Sequence, residues 1–422
     1  MIDEQDMMSK AASSLQTTAT HNELAIEPDR MIRIGTEGRE LAIYPARSGY
    51  ELERELEFIS NRALEPNIFF TSGFLAPAMP RLDNRTVQLC VMRDVNAQRS
   101  RIRLLLPFSV EKPNLGIGVP IMRIWSNEYG PLGTPLIDSE NALQSLDDFM
   151  EGVSRDEMKL PNVLVFPDIR LDSSFARMMS GIALSKNLPL AITNKFERPM
   201  LESEIDSPDY ISSAISKHHL RDLERQRRRL AEMGELEFVI ARQPGDIRVA
   251  LDEFLHLENK GWKGQKKTSL VADRHRAAFA REAVQNLAEL DRVRIHSLQL
   301  DGKVIASLIV FVMGGESYTW KTTFDEDYST LSVGKLLMQQ TTEWQLDDFN
   351  TIRTDSCAVP DHPIMSRFWK ERCEMGTIIV GTSPNSDKDV RQVTKQLDIY
   401  RSSKNLAKNI RDKVRAIAKN KF

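Results

Sequence analysis

The chain has 422 residues, 41% of them hydrophobic, and a formal net charge of −3. That length suits two domains, and the balanced charge argues against a general nucleic-acid binder, DNA included. No apolar run approaches the about 18 residues that span a membrane, no charged-then-apolar leader opens the chain, and Cys90, Cys357 and Cys373 are too few and too scattered for a disulfide framework or a zinc site. A cytoplasmic protein without a metal is the expectation.

Residues 1 to about 30 are polar and lack an apolar period, which predicts disorder. Leu52, Leu56 and Ile59 recur at helical spacing and predict a helix from Tyr50 to Ala63. Strands are predicted at Thr86 to Val91, Ile102 to Val110 and Val119 to Trp125. A helix from Ser139 to Gly152, a strand at Asn162 to Phe166, a helix from Ser173 to Ser185 and a strand at Leu188 to Thr193 follow. The acidic stretch 198–209 reads as a linker. A polar helix then runs from Ser212 to Met233 with Gly234 beyond its end. Next come a strand at Leu236 to Ile240, a helix opened by Pro244-Gly245-Asp246 with Asp246 as N-cap, and a helix from Asp273 to Leu290.

The strongest strand signals follow. Val293 to Leu300, Val304 to Met313 and Ser317 to Phe324 are separated by Asp301-Gly302 and Gly314-Gly315, pairs that tolerate the positive φ of tight hairpins. The middle run is apolar on both faces and belongs in the centre of a sheet. A helix (Val333 to Phe349), a strand (Thr351 to Cys357), a helix (His362 to Glu374) and a strand (Thr377 to Val380) complete the unit. The two halves repeat one order of elements, which predicts two α/β units over 31–200 and 210–385, each a mixed, mainly antiparallel sheet flanked by helices. In the remaining segment, 386–422, eleven Lys and Arg stand against four Asp. Leu397, Tyr400, Leu406, Ile410, Val414 and Ile417 form one stripe of a basic helical tail. Such a tail is a solvated helix on the body or a contact for an anionic membrane or partner.

The segment Trp320 to Lys335 runs from a strand through a loop of small residues into a helix. A helix start of this kind offers free N–H groups and the positive end of a dipole, a natural seat for a pyrophosphate. The candidate residues there are Phe324, Ser329, Thr330, Ser332, Val333, Gly334 and Lys335. Small residues also serve such connections simply as caps.

Several short motifs carry a resemblance: Gly261-Trp262-Lys263-Gly264, Trp320-Lys321, Phe324-Asp325-Glu326, Leu331-Ser332-Val333-Gly334, Asp355-Ser356-Cys357-Ala358-Val359-Pro360, His362-Pro363 and Trp369-Lys370-Glu371-Arg372. Together they resemble the bacterial GNAT branch labelled cellulose-biosynthesis acetyltransferase-like, which is related to the Fem-type aminoacyltransferases. Ala63 to Asn67 and Tyr129 to Pro135 extend the likeness into the first half. The resemblance implies tandem GNAT-like units, an acetyl-CoA or other acyl-CoA co-substrate bound at the loop, and transfer to an amine. A small molecule or an amino sugar of cell-envelope or exopolysaccharide synthesis would be the acceptor. Where the general GNAT loop reads Gln/Arg-x-x-Gly-x-Gly/Ala, this chain has Ser329-Thr-Leu-Ser332-Val-Gly334, and only Gly334 fits.

An amine acceptor must lose a proton, so a carboxylate or His belongs near the acyl carbon. The candidates are Asp355, then Glu258, with Asp325 and His362 behind them. Each has a structural alternative: an ion pair of Asp355 with Lys321 or Arg372, an exposed helix carboxylate at Glu258, a turn or cap at Asp325 and His362. Lys321, Trp262 and Lys263 are candidate substrate contacts, and Cys357 reads as apolar filler. The basic helix Lys217 to Arg229 is a solvated face or a seat for an anion such as a CoA 3′-phosphate or tRNA. Transfer from aminoacyl-tRNA, and a GNAT-fold scaffold without chemistry, are therefore the alternative functions.

Overall fold

The computed structural model describes residues 27–35, 38–83, 85–96, 100–112, 118–360 and 362–402. The disorder predicted for the start falls, up to residue 26, outside them, as do Leu406, Ile410, Val414 and Ile417 of the tail stripe.

In chain order the first half comprises β1 (Arg30–Arg33), β2 (Arg39–Pro45), α1 (Ser48–Glu51), α2 (Glu53–Ser60), α3 (Ser72–Leu82), β3 (Val87–Val95), β4 (Ser100–Glu111), β5 (Ile121–Ile124), β6 (Leu136–Ile137), α4 (Ala142–Val153), β7 (Val163–Arg170), α5 (Ser174–Ser185) and β8 (Leu190–Leu201). The second comprises α6 (Ser207–Ala214), α7 (Lys217–Ala231), β9 (Leu236–Ala241), α8 (Pro244–Lys260), α9 (Trp262–Gln265), α10 (Arg274–Glu289), β10 (Val293–Leu300), β11 (Lys303–Met313), β12 (Glu316–Phe324), α11 (Val333–Asp347), β13 (Arg353–Asp355), α12 (Met365–Phe368) and β14 (Glu371–Gly381). A helix over 387–402 follows.

The fourteen strands form one sheet in the order β1-β2-β3-β4-β5-β7-β14-β8-β13-β12-β11-β10-β9, with β6 beside β4. The fold is thus mixed α/β, mainly antiparallel; the parallel pairs are β5 with β7 and β12 with β13. As its two apolar faces require, β11 lies between β10 and β12.

The halves exchange strands. The last strand, β14, inserts between β7 and β8 of the first half, and the other edge of β8 pairs with β13 of the second. One core runs through both halves. Phe69 and Phe74 of the first meet Phe279, Phe311, Tyr318 and Trp320 of the second edge to face, at centroid distances from 5.1 to 6.5 Å within the cluster. Such pairs add about 0.5–1.5 kcal/mol each beyond their burial.

Several expected elements are corrected. Residues 198–201 of the expected linker complete β8, and the helix expected from Ser212 to Met233 is two helices, because the Ser216 side chain accepts from His219 N–H and starts α7 afresh. Asp246 is not the cap of α8; Gln243 holds that position and Pro244 fills the first helical site. The helix expected from His362 to Glu374 is the single turn α12, and Glu371 already belongs to β14. There pairing with β7 and β8 overrides local propensity. Trp369 and Arg372 therefore share no helix: Trp369 Nε1 donates to Thr342 Oγ1 at 3.0 Å, and Arg372 Nη1 donates to the Trp369 carbonyl at 2.7 Å. Strands β1 and β2 and helix α3, with Pro77 and Pro80 inside it, had no expected counterpart.

Candidate active site

The parallel pair β12–β13 is short: Glu316, Ser317 and Tyr318 face Arg353, Thr354 and Asp355. Beyond it β12 runs on to Phe324 while β13 turns away. The turn is built by hydrogen bonds. Asp355 Oδ1 accepts from the Cys357 N–H at 2.7 Å, and Cys357 is held at φ 49°, a region most side chains avoid. Thr319 Oγ1 anchors the departing chain by donating to the Ser356 carbonyl at 2.7 Å.

A cleft of about 370 Å³ opens where the strands part. It gathers residues from four places: Glu258, Trp262 and Lys263 at the junction of α8 and α9, Lys321 and Phe324 on β12, Gly334 on α11, and Cys357 and His362 after β13. The expected candidates Glu258, His362, Trp262, Lys263, Lys321, Phe324 and Gly334 therefore share one space.

Glu258 is buried, with both oxygens engaged: Oε1 accepts from Lys263 Nζ at 2.9 Å and Oε2 from the Leu270 N–H at 2.8 Å. Lys263 Nζ also donates to the Thr322 carbonyl at 2.9 Å, so this β12 carbonyl faces the cleft. Trp262 opens α9; its N–H donates to Glu326 Oε1 at 2.7 Å, and Lys266 Nζ lies 4.6 Å from the ring centroid. The turn needs glycine at 264, where a Cβ would stand 1.8 Å from the Asn259 carbonyl oxygen.

Among the described residues Lys321 has no carboxylate clamp. Its Nζ donates to the Glu128 carbonyl at 3.3 Å and lies 4.4 Å from the Tyr129 ring centroid, both in the first half. Burial, reinforced by nearby Lys263, pushes its pKa down to about 8. His362 accepts the Met365 N–H at Nδ1 (3.2 Å), so in its neutral form the proton sits on Nε2 and the ring is a donor there. Burial lowers the proton affinity of this ring and favours that neutral form. Burial and the Asp355 charge raise the Cys357 thiol well above its ordinary value, so it is a poor nucleophile.

Asp355 and Asp325 do not reach the cleft. Asp355 is buried among charges: Arg170 Nη2 approaches Oδ2 at 3.1 Å and Arg198 Nη1 at 3.4 Å. Burial would raise its carboxyl, but Arg198, Arg170 and the Cys357 N–H outweigh this and hold it below the usual range. Its ion pair is thus with first-half arginines rather than Lys321 or Arg372. Arg170 also binds Glu316 at 2.8 Å, and Glu316 binds Arg353. Asp325 pairs with Lys260 at 2.9 Å and Lys303 at 3.5 Å and accepts from Asp327 N–H.

Of the candidate loop residues, only Gly334 and Phe324 line the cleft, with Glu326 beside them. Ser329 and Thr330 lie in a 3-10 turn over Glu326–Leu331, Ser332 takes a left-handed conformation, Val333 is buried in the core, and Lys335 is hydrogen-bonded back to Ser332. The N–H groups of Val333 and Gly334 have no acceptor among the described residues, as an anion seat requires. A Cβ at Gly334 would make only ordinary contact with Phe324 at 3.5 Å, so packing within the chain does not demand glycine there. Glu128, Arg170, Arg198 and Glu316 had escaped sequence reasoning, and Tyr129 had entered only as the start of a motif. Their signal was there in part, in arginines set among apolar strand residues.

A β12–β13 pair that splays over a cleft, with a helix N-terminus at the cleft's edge, is the arrangement of a GNAT-like fold. The family model described as acetyltransferase (GNAT) domain matches residues 217–350, from the start of α7 to the turn after α11. Among solved structures, the C-terminal domain of a putative lysylphosphatidylglycerol synthetase from Agrobacterium fabrum is similar at 12% identity and TM-score 0.50, over 82% of this chain and 96% of that one. FemX is similar at 7% identity and TM-score 0.50, over 78% and 95%. L-PGS from Bacillus licheniformis is similar at 12% identity and TM-score 0.48, over 81% and 95%. At these identities the likeness is one of fold. No curated protein matches the chain.

Proposed function

We propose that this protein is an N-acyltransferase that moves an acyl group from an acyl-CoA thioester to an amine in the β12–β13 cleft. The observation that carries the reading is the splay itself, which leaves a strand edge unpaired among the described residues, beside N–H groups of α11 that have no acceptor among them. Those of Val333 and Gly334 would hold the pyrophosphate. Acyl-CoA supplies an activated carbonyl; the amine nitrogen bonds to that carbon, the carbon–sulfur bond breaks with its electron pair going to sulfur so that CoA leaves as the thiolate, and the amine's proton passes to the protein, from which the thiolate can take it up.

Lys321 is the group we assign to that proton. It lies in the cleft, and a pKa of about 8 leaves a useful neutral fraction near neutrality. Glu258, with both oxygens committed, is placed as the residue that fixes Lys263. His362 Nε2–H is a donor for the oxygen that gains charge. Asp355 acts through its hold on Cys357 and is a positioning residue. The finer assignment, an acetyl donor and an amino-sugar acceptor in cytoplasmic envelope or exopolysaccharide synthesis, rests on the short motifs that resemble the cellulose-biosynthesis branch. Calorimetry with acetyl-CoA and longer acyl-CoAs tests the reading: saturable binding supports it, and silence from all of them sinks it.

A second reading is favoured by α7. Lys217, His218, His219, Arg221, Arg225, Arg227, Arg228 and Arg229 are exposed on it, with Asp222 and Glu224 paired only to Arg225 and Arg228. The helix packs beside the 3-10 turn at the pyrophosphate end of the cleft. That is where an aminoacyl-tRNA donor would lay its phosphates. Filter binding to charged tRNA, set beside CoA turnover, separates the donors. The anionic-membrane contact proposed for the basic tail is tested by vesicle co-sedimentation of the full chain.

A further inference from the structure

A second and larger cavity, of about 850 Å³, lies at the opposite end of β12. Its walls are the loop after α2, the start of β10, the Gly314-Gly315 hairpin turn and the last turn of α11 with the bend that follows. It shares no lining residue with the acyl cleft. The size lies within the range of ligand-binding clefts and admits several linked rings.

The cavity's charges exclude an anion. Arg242, Arg292 and Arg294 line it against Asp291, Glu316, Asp347 and Asp348. Each arginine is already matched: Arg242 and Arg294 by Asp291, at 3.0 and 2.8 Å, and Arg292 by Glu57 at 2.9 Å. The cavity nevertheless keeps polar capacity. The Arg294 side chain is only 9% exposed, and its Nη1 serves the Asp291 and Val293 carbonyls. Its Nε and Nη2 have no acceptor among the described residues. A purely apolar ligand would strand these donors out of water, at a cost of about 1–3 kcal/mol.

Aromatic surface completes the picture. Trp344 lines the cavity, and Phe349 stands at its mouth 93% exposed. Phe349 is not on a loose loop. Asp348 Oδ1 accepts from both the N–H and the Nδ2 of Asn350 at 3.0 Å, Thr351 N–H donates to the Asp348 carbonyl at 2.9 Å, and Ile352 N–H donates to the Gly315 carbonyl at 2.7 Å. A bend secured on both sides of a bare phenyl ring holds that ring out as a platform.

Aromatic side chains, planar hydrogen-bonding groups of both polarities and no spare positive charge suit a sugar. A sugar ring has a C–H face that lies on an aromatic ring and hydroxyls that both donate and accept. We propose that this cavity binds an uncharged oligosaccharide, with Phe349 and Trp344 as ring platforms and Arg294 as a hydroxyl donor. The inference stands apart from the acyl-transfer reading, since it uses other residues at the other end of the strand.

The test titrates the full chain with uncharged hexasaccharides: β-1,4- and α-1,4-linked glucose, and β-1,4-linked N-acetylglucosamine. The readouts are calorimetry and tryptophan fluorescence, with a hexauronate in parallel. Saturable binding of at least one uncharged hexasaccharide is expected, weakened about tenfold in Phe349→Ala, the loss that about 1.4 kcal/mol of stacking represents, with an unchanged melting temperature. The exposed site of Phe349 makes misfolding of that variant no concern. No saturable binding of any uncharged sugar overturns the proposal. So does binding that Phe349→Ala leaves intact, or salt-sensitive binding of the hexauronate alone.

Discussion

Arg170→Met tests whether the exchanged strands are locked by charge. The side chain is 2% exposed and lies between Glu316, 6% exposed at 2.8 Å, and Asp355, 1% exposed at 3.1 Å. Removing one member of so deeply buried a pair costs about 3–5 kcal/mol, because the remaining charge is left uncompensated. Here Glu316 keeps Arg353 and Asp355 keeps Arg198, so the lower figure applies. With an unfolding entropy of about 2.1 cal/mol/K per residue over roughly 360 ordered residues, about 3 kcal/mol becomes a fall of about 4 °C in Tm. Scanning calorimetry at neutral pH measures it. The internal control is Lys195→Ala: Lys195 pairs with Glu374 across the same β8–β14 ladder, but both are about half exposed. A surface pair of that kind is worth about 0–1 kcal/mol and should move Tm by about 1 °C or less. The pH dependence has a definite sign. Asp355 is held below its ordinary pKa, so its contribution is complete above the unfolded carboxylate value and is lost as pH falls through the lower folded value. The gap between Arg170→Met and the parent should therefore narrow in strong acid. If Arg170→Met melts with the parent, or no lower than Lys195→Ala, the charge cluster does not hold the halves together.

Three other outcomes are expected. Because Lys321 must be neutral to take a proton, kcat/KM should climb with pH through about 8 and level off above it; Lys321→Met should lose that limb and most of the rate, and an unchanged profile would remove Lys321 as the base. Gly334→Asp places a negative charge on the first turn of α11, which should leave Tm unchanged or slightly raised while weakening CoA binding about tenfold or more in calorimetry; equal affinity would mean the pyrophosphate lies elsewhere. Gly264→Ala drives a Cβ against the Asn259 carbonyl. Thermal melts should show a loss above about 1 kcal/mol, with α9 no longer setting Trp262 and Lys263 in the cleft.

The parts of this fold that local rules govern were legible. Asp301-Gly302 and Gly314-Gly315 marked the hairpins of β10, β11 and β12, all four residues having positive φ, and the doubly apolar β11 announced its central place. Helix α3 was hidden by Pro77 and Pro80, which ordinarily mark breaks. Strand β14 was hidden because Glu371 to Glu374 carry a charge pattern that suits a helix until β7 and β8 supply partners. At the site, residue types were legible and company was not. Lys321, Glu258, Lys263 and His362 read as candidates and converge on one cleft. Asp355, ranked first as the base, faces Arg170 and Arg198, which stand 185 and 157 positions away in the chain. Nothing local to Asp355 names those partners, so a buried carboxylate on a strand reads equally as a base or as an ion pair.

The strand exchange and the cleft have one cause. On the proposed acyl-transfer reading a parallel pair must be forced apart where a thioester is to lie between its strands, and a strand end left free would tend to pair on. Asp355 prevents this by taking the Cys357 N–H and holding that residue left-handed, so that β13 stops where the cleft begins. A charged carboxylate in that place needs compensation, and Arg170 at the end of β7 and Arg198 on β8 provide it from the other half. They can reach it only because β8 pairs with β13 and β14 joins β7 to β8. The first half adds the Glu128 carbonyl and the Tyr129 ring that hold Lys321 over the cleft floor. The first half thus lines none of the cleft among the described residues, yet it sets both the opening of the strands and the position of the lysine within it.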